Sequence, residues 1–442
     1  MRLLKQQLLI IIFSLAAAYN LSAQKISFTE YDLSNGLHVI LHKDTKAPVV
    51  AISVYYHVGS KNEDTARTGF AHFFEHLLFH GSENIKKNEF SKYVSNNGGR
   101  NNATTSQDRT LYYELFPSNQ LELGLWLESE RMLHPVIDDE GVHTENEVVK
   151  EEKRLRYDNS PYGLVVESVM SRLFTTHPYR WTPIGSQAHL DAASLDEFKA
   201  FFKKYYVPNN ATLSIAGDIN IDSTKKMVAA YFADIPGGKK MELPSFNEQP
   251  LDKLIIDTVY DANIQLPAIV AAYRIPGKGT RDAKVLDMLT RYLSGGASSK
   301  LYKKMVDDKK NALQVGAFSI SLEDFGAYMT FAIPNNNTSL TELLKDVDEE
   351  VLKVQQSLIS EEDYQKLMNQ VENDYVSTNS RMLNVAENLA ENYYIYGKTG
   401  HINQVLDEYR QITRQDMLDV AKKYLVDDRR LVLYYLPQST GK

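Results

Sequence analysis

The chain contains no cysteine. That absence excludes disulfides, a cysteine nucleophile and a lipid-modified N-terminal cysteine. No lysine-rich tract stands out and the net charge is -8, which argues against nucleic acid as a partner. A G-x-S-x-G elbow is missing as well, since Leu293-Ser294-Gly295 lacks the leading glycine, and this argues against a serine hydrolase. The apolar run over residues 8–18 is too short for a comfortable membrane span. Arg2 and Lys5 precede it and Leu21-Ser22-Ala23 follows. The expectation is a signal peptide over residues 1–23, cleaved near Ala23, with an uncleaved anchor as the alternative. The mature chain would have no stable membrane span. Its charge would move from -8 to -10 with the loss of Arg2 and Lys5. An exported chain without disulfides suits a bacterial periplasm or the exterior.

What is present is a soluble, globular composition. Hydrophobic residues make up 43% and charged residues 24% of 442, enough chain for two domains. Within it, His72-Phe73-Phe74-Glu75-His76 places two imidazoles and a carboxylate on one side of a single helical turn. Two imidazoles four residues apart can bind one zinc ion, and the carboxylate can take a proton from a water that the ion activates. Thr68-Gly69-Phe70-Ala71 precedes the turn and Leu77, Leu78 and Phe79 follow, as in a buried helix. A core helix with two satisfied histidines is the competing reading.

A zinc site of this kind needs a third protein ligand. In the segment from Glu145 to Glu152, positions 145, 148, 149 and 152 share a helical face. Two carboxylates would then flank Val148 and Val149 on a buried side, which is costly unless a cation meets them. Glu152 could meet zinc, and Glu145 could orient the site from one turn away. An ordinary acidic surface helix fits the spacing equally well.

The chain resembles the pitrilysin/insulinase family of inverted zinc peptidases, in the short-subunit branch that includes mitochondrial processing peptidase and its bacterial relatives. The resemblance rests on H-x-x-E-H followed by E-x-x-V-x-x-E-E, with Glu152 lying 76 residues after His76. It implies His72, His76 and Glu152 as ligands of one Zn2+ per chain, Glu75 as general base and Glu145 in support. The stretch Gly98-Gly99-Arg100-Asn101-Asn102-Ala103-Thr104-Thr105 resembles the family's G-G-x-x-N-A-x-T. The resemblance implies an edge strand there, beside the metal, with Asn102, Ala103 and Thr104 contacting substrate. Bottom-up, Gly98 and Gly99 end a helical pattern and residues 103–116 read as extended. A strand edge can pair with a peptide backbone without reading its sequence closely.

An internal repeat organises the whole. Ser194-Leu195-Asp196-Glu197-Phe198 and Thr413-Arg414-Gln415-Asp416-Met417 each open on a capping residue followed three later by an acid. Each continues through a Lys-Lys-Tyr triplet to an apolar strand, and the helical parts align at a constant offset of 219. Two homologous α+β halves are predicted, each a mostly antiparallel sheet packed with helices. Residues 24–236 would form the zinc-bearing half, 237–254 a linker and 255–442 a non-catalytic half. Apolar strands are expected at 49–57 and 267–273, and helices at 119–133, 281–293 and 361–376.

The match departs in the second half. Relatives often carry S-S-R-L-x-x-x-x-R-x-x-x-x-x-x-Y, whose arginine and tyrosine are thought to hold substrate carbonyls. Laid on Ser298-Ser299-Lys300-Leu301, those positions fall on Val306 and Leu313, which cannot donate a hydrogen bond. The resemblance then implies the zinc-bearing subunit of a heterodimer whose partner supplies the arginine and tyrosine; a homodimer is the alternative. The expected function is that of an exported zinc metalloendopeptidase acting on peptides or unfolded polypeptides. A non-catalytic peptide-binding or scaffold protein on the same fold is the rival.

Overall fold

The computed structural model describes residues 25–241, 246–335 and 337–438. The expected signal peptide lies outside the described residues, as do positions 242–245 of the expected linker. Two sheets form. The first contains β1 (Thr29–Asp32), β2 (His38–Lys43), β3 (Val49–Tyr56), β4 (Arg100–Thr105), β5 (Thr110–Pro117) and β6 (Ala211–Gly217), in the order β1-β2-β6-β3-β5-β4. The second contains β7 (Ile255–Asp261), β8 (Ala268–Pro276), β9 (Ala312–Ser321), β10 (Phe325–Pro334) and β11 (Leu431–Pro437), in the order β7-β11-β8-β10-β9. Removing β1 from the first order leaves the second order strand for strand. Even the single parallel pair recurs at the same place, β2 with β6 and β7 with β11.

Helices cover the sheets: α1 (Phe70–Leu77), α2 (Leu121–Leu133), α3 (Asp139–Lys153), α4 (Val165–Leu173) and α5 (Leu195–Tyr205) before the linker. After it come α6 (Arg281–Ser294), α7 (Leu340–Gln356), α8 (Glu361–Thr378), α9 (Met382–Tyr396) and α10 (Arg414–Tyr424). The repeat is carried by α5 and α10, each closed at its start by a reciprocal capping box, Ser194 with Glu197 and Thr413 with Asp416.

The period-2 alternation of strands explains why each sheet needs cover on both faces. On β3, Val50, Ile52, Val54 and Tyr56 join the core built with α1, α2 and α5, while Ala51 points the other way. That other face is covered by Val385, Ala386 and Leu389 of α9, a helix from the second half. The exchange is mutual. On β8, Ile269, Ala271 and Tyr273 face the second half's own helices, whereas Ala268, Val270 and Ala272 pack on Val169, Met170 and Leu173 of α4. Each half therefore lends one helix to the other.

One sequence expectation changes in detail. The extended run over 103–116 is a hairpin, broken by a turn in which Ser106 N donates to the Arg109 carbonyl at 2.8 Å. The Ser106 hydroxyl accepts from Asp108 N and Arg109 N, which is side-chain turn chemistry that strand propensity does not report. Among the described residues no helix is long and apolar enough to cross a membrane.

Candidate metal centre

α1 forms because Phe70, Phe73, Phe74 and Leu77 recur at helical spacing and are buried against Phe198, Phe201 and Tyr206. Its ends are pinned. Glu63 lies buried beneath the first turn, its two oxygens accepting from Gly69 N and Ala71 N at 2.9 Å each. At the other end the buried Arg131 donates to the Leu78 carbonyl at 3.2 Å and pairs with Glu128 and Glu114. A cation there suits the negative end of the helix. With its apolar face locked inward, α1 presents His72, Glu75 and His76 on the opposite side.

α3 crosses this face, capped by Asp138, whose carboxylate accepts from Gly141 N at 2.8 Å. Glu152 sits in its last turn, just before the helix widens to π geometry over Arg154–Asp158. The Glu152 Oε2 atom lies 3.1 Å from His76 Nε2 and 3.5 Å from His72 Nε2. Its other oxygen pairs with Arg156 at 2.7 Å. Glu145, one face-repeat earlier, places its oxygens 3.9 Å from His76 Nδ1 and 3.5 Å from His80 Nδ1. Helical spacing in the sequence places Val148 on the buried side with Val149. Val149 is buried, but Val148 is 44% exposed and lines the cleft. The four positions span more than one narrow stripe, so the helix turns one valine to the core and the other to solvent.

His72, His76 and Glu152 each offer one ligand atom, and these lie within 4.8 Å of one another. A divalent ion fits this set on the chemistry of the donors. Glu152 Oε2 is buried without a hydrogen-bond partner, a costly state for a carboxylate oxygen that a cation would relieve. Burial, reinforced by the neighbouring His76, pulls His72 down to about 4, so its imidazole is neutral and free to ligate. For His76, burial acts downward but Glu152 outweighs it, and the net direction is up. The contact with His76 holds the Glu152 carboxyl below its usual range. Glu75 moves the other way. Burial raises its carboxyl, against the opposing pull of the Thr105 hydroxyl and His76.

The cleft around these groups has a volume of about 640 Å³ and opens between α1, α3 and β4. Asn102, Ala103 and Thr104 line it, as do Leu155, Tyr157 and Ile184. β4 is the terminal strand of its sheet, paired with β5 alone. Ala103 is buried beneath α1, while Asn102 and Thr104 are exposed. The fold thus brings all eight residues singled out in the sequence to one place. Arg156, His80 and Glu63 join the site without having been expected there. Arg156 is four after Glu152 and His80 four after His76, so helical spacing could have flagged both. Nothing in the sequence marks Glu63, which reaches α1 only through a loop.

The family model described as Insulinase (Peptidase family M16) matches residues 38–184, the span that holds every one of these groups. The model described as Peptidase M16 inactive domain matches residues 192–371. The chain is 29% identical over 434 residues to the zinc protease PqqE of Helicobacter pylori, covering 97% of each. To YmxG of Bacillus subtilis, described as an uncharacterized zinc protease, it is 23% identical over 91% of this chain and 97% of that one. Its fold matches the crystal structure of a protease from Helicobacter pylori with a TM-score of 0.88 at 28% identity, covering 93% of this chain and 100% of that one. Pitrilysin shares the fold at a TM-score of 0.75 and 18% identity, with 95% of this chain laid on 46% of pitrilysin. The chain belongs to the pitrilysin/insulinase family, peptidase family M16.

Proposed function

We propose that this protein is an exported zinc metalloendopeptidase that hydrolyses peptides or unfolded polypeptides. One observation carries the reading: one ligand atom each of His72, His76 and Glu152 converge to within 4.8 Å of one another, with Glu75 beside them in an open cleft. His72, His76 and Glu152 would hold the ion. When bound, zinc supplies Lewis acidity, polarising a scissile carbonyl and making water a stronger nucleophile near neutral pH. Glu75 accepts the proton of the attacking water and returns it to the leaving amine. Glu145 orients His76 from behind. The free edge of β4 aligns the substrate backbone, with Asn102 and Thr104 presented outward and Ala103 leaving room under α1. Edge pairing reads backbone rather than side chains, which suits extended and unfolded substrates.

Two measurements test this. A chelator should abolish peptide hydrolysis and zinc should restore it; hydrolysis insensitive to chelation overturns the reading. Glu75→Gln should retain one zinc per chain by atomic absorption while turnover falls by roughly 10²–10⁴-fold. Normal turnover in that variant removes Glu75 from its role.

We further propose a heterodimer in which a second family subunit supplies the substrate-holding arginine and tyrosine. Val306 and Leu313 occupy the corresponding positions here, and the nearby Lys300 is engaged with Asp363 at 2.9 Å. The purified chain alone should then cleave peptides slowly. Full activity from it alone would favour the homodimer. Export is proposed from the charged and apolar pattern of residues 1–23.

A further inference from the structure

His80 is the third histidine at a four-residue interval along this segment, after His72 and His76. It lies just past α1, where its backbone N–H donates to the Leu77 carbonyl at 3.0 Å and its carbonyl accepts from Asn88 N at 3.1 Å. Its side chain is 5% exposed, and Nδ1 has no hydrogen-bond partner. That nitrogen lies 3.5 Å from Glu145 Oε1, while Glu145 Oε2 lies 3.9 Å from His76 Nδ1. Each oxygen of one carboxylate thus addresses a different imidazole.

The seat for this ring is built into α3. A side chain at Gly141 would meet the capping Asp138 Oδ1 at 3.1 Å and both His80 Cδ2 and Leu77 Cδ1 at 3.3 Å, tighter than ordinary van der Waals contact, so the bare glycine leaves the room in which the ring sits. Gly141 and Glu145 are four apart and share a helical face. α3 therefore supplies both a gap that admits the His80 ring and a carboxylate within reach of its nitrogen.

We propose that His80 is a positioning residue of the metal centre: it fixes the Glu145 carboxylate, which in turn sets the orientation of the His76 ring. This rests on the zinc reading given above. His80 ligates nothing and touches no substrate. Its effect passes through Glu145, as partners behind a ligating histidine act in other metal sites, where their loss typically weakens metal binding by about 10–100-fold.

The experiment is zinc affinity of the purified full chain, by competition with a chromogenic chelator, supported by the visible spectrum of the cobalt-substituted protein. His80→Phe keeps a ring against Gly141 but removes the nitrogen. It should bind zinc about 10–100-fold more weakly, with the melting temperature of the metal-free protein unchanged and the cobalt bands shifted. His80→Asn, whose amide nitrogen can stand near the Nδ1 position, should recover most of the affinity. Gly141→Ala, which crowds the ring, should weaken binding in the same direction by less. In a Glu145→Ala background, His80→Phe should cost nothing further. Wild-type affinity in His80→Phe overturns the proposal, and so does an undiminished loss in the Glu145→Ala background. Failure of the wild-type chain itself to take up zinc overturns the metal reading instead.

Discussion

Glu63 shows how a residue far from the chemistry can govern it. Two backbone N–H groups at the start of α1 depend on its carboxylate, and it is buried with them. Glu63→Ala leaves those donors unsatisfied out of reach of water, at a cost of about 1–3 kcal/mol each. The expected outcome is a clear drop in melting temperature together with weaker zinc retention, since His72 lies only two residues into the helix after Phe70. Thermal denaturation followed by metal analysis checks both, and an unchanged melting temperature would remove Glu63 from the anchoring role. The grouping of the residues on α1 was legible beforehand. His72, Glu75 and His76 belong to one helical turn, and helical periodicity is local. Glu63 was hidden because its hydrogen bonds run across a loop, and no periodicity links it to α1.

At the scale of elements, the placement of α1 depends on a contact between two glycines. Gly69, with φ +102, opens the helix, and Gly185, with φ +62, lies against it. A side chain on Gly185 would sit 2.3 Å from Gly69 N, which is backbone that cannot rotate away. Gly185→Ala should destabilise the fold by about 1–3 kcal/mol through its left-handed conformation alone, with the clash adding to that. Calorimetry that finds wild-type stability in this variant would refute the argument. The starts of helices α5 and α10 were readable because their capping residues, Ser194 and Thr413, and the acids three positions later are encoded within four residues. The β4–β5 hairpin was not resolved from one long extended run, since its turn is set by the Ser106 hydroxyl rather than by glycine or proline. Val148 was misplaced for a related reason: the pattern of a helix says which residues share a face, but the neighbours decide which edge of that face meets the core.

At the scale of the molecule, the two halves are joined by exchanged helices and by a charged junction. The turn between β9 and β10 reaches across to the first half. There Glu323 contacts Lys61, lies 3.3 Å from His57 and accepts from the Tyr394 hydroxyl at 2.7 Å. Its backbone N–H donates to Asp108, in the turn of the hairpin that carries β4, at 2.8 Å. Burial alone would raise the Glu323 carboxyl, but His57 and the Lys61 ammonium outweigh it and hold it at about 2. Because the folded value lies below the ordinary carboxylate range, the junction contributes stability that is present above about pH 4.5 and is lost as pH falls toward 2. Glu323→Gln should therefore lower stability at pH 7 and flatten its decline between those values. Urea titrations across that range would check it, and an unaltered slope would show that the junction is not a source of acid lability.

Two layers of this protein were settled at different levels. The amino-acid order alone determined that His72, Glu75 and His76 share one helical turn and that the α+β plan is duplicated, because residue type, helical period and the repeated caps express them; Glu152 as a third donor and the departure at Val306 and Leu313 were implied by the family resemblance. Only tertiary structure decided that Glu152 turns a buried oxygen toward two imidazoles 76 and 80 positions away, that α4 and α9 change places, and that the edge hairpin is gripped from the other half. Those outcomes follow from burying both faces of two sheets at once, a condition that no single segment of chain can express.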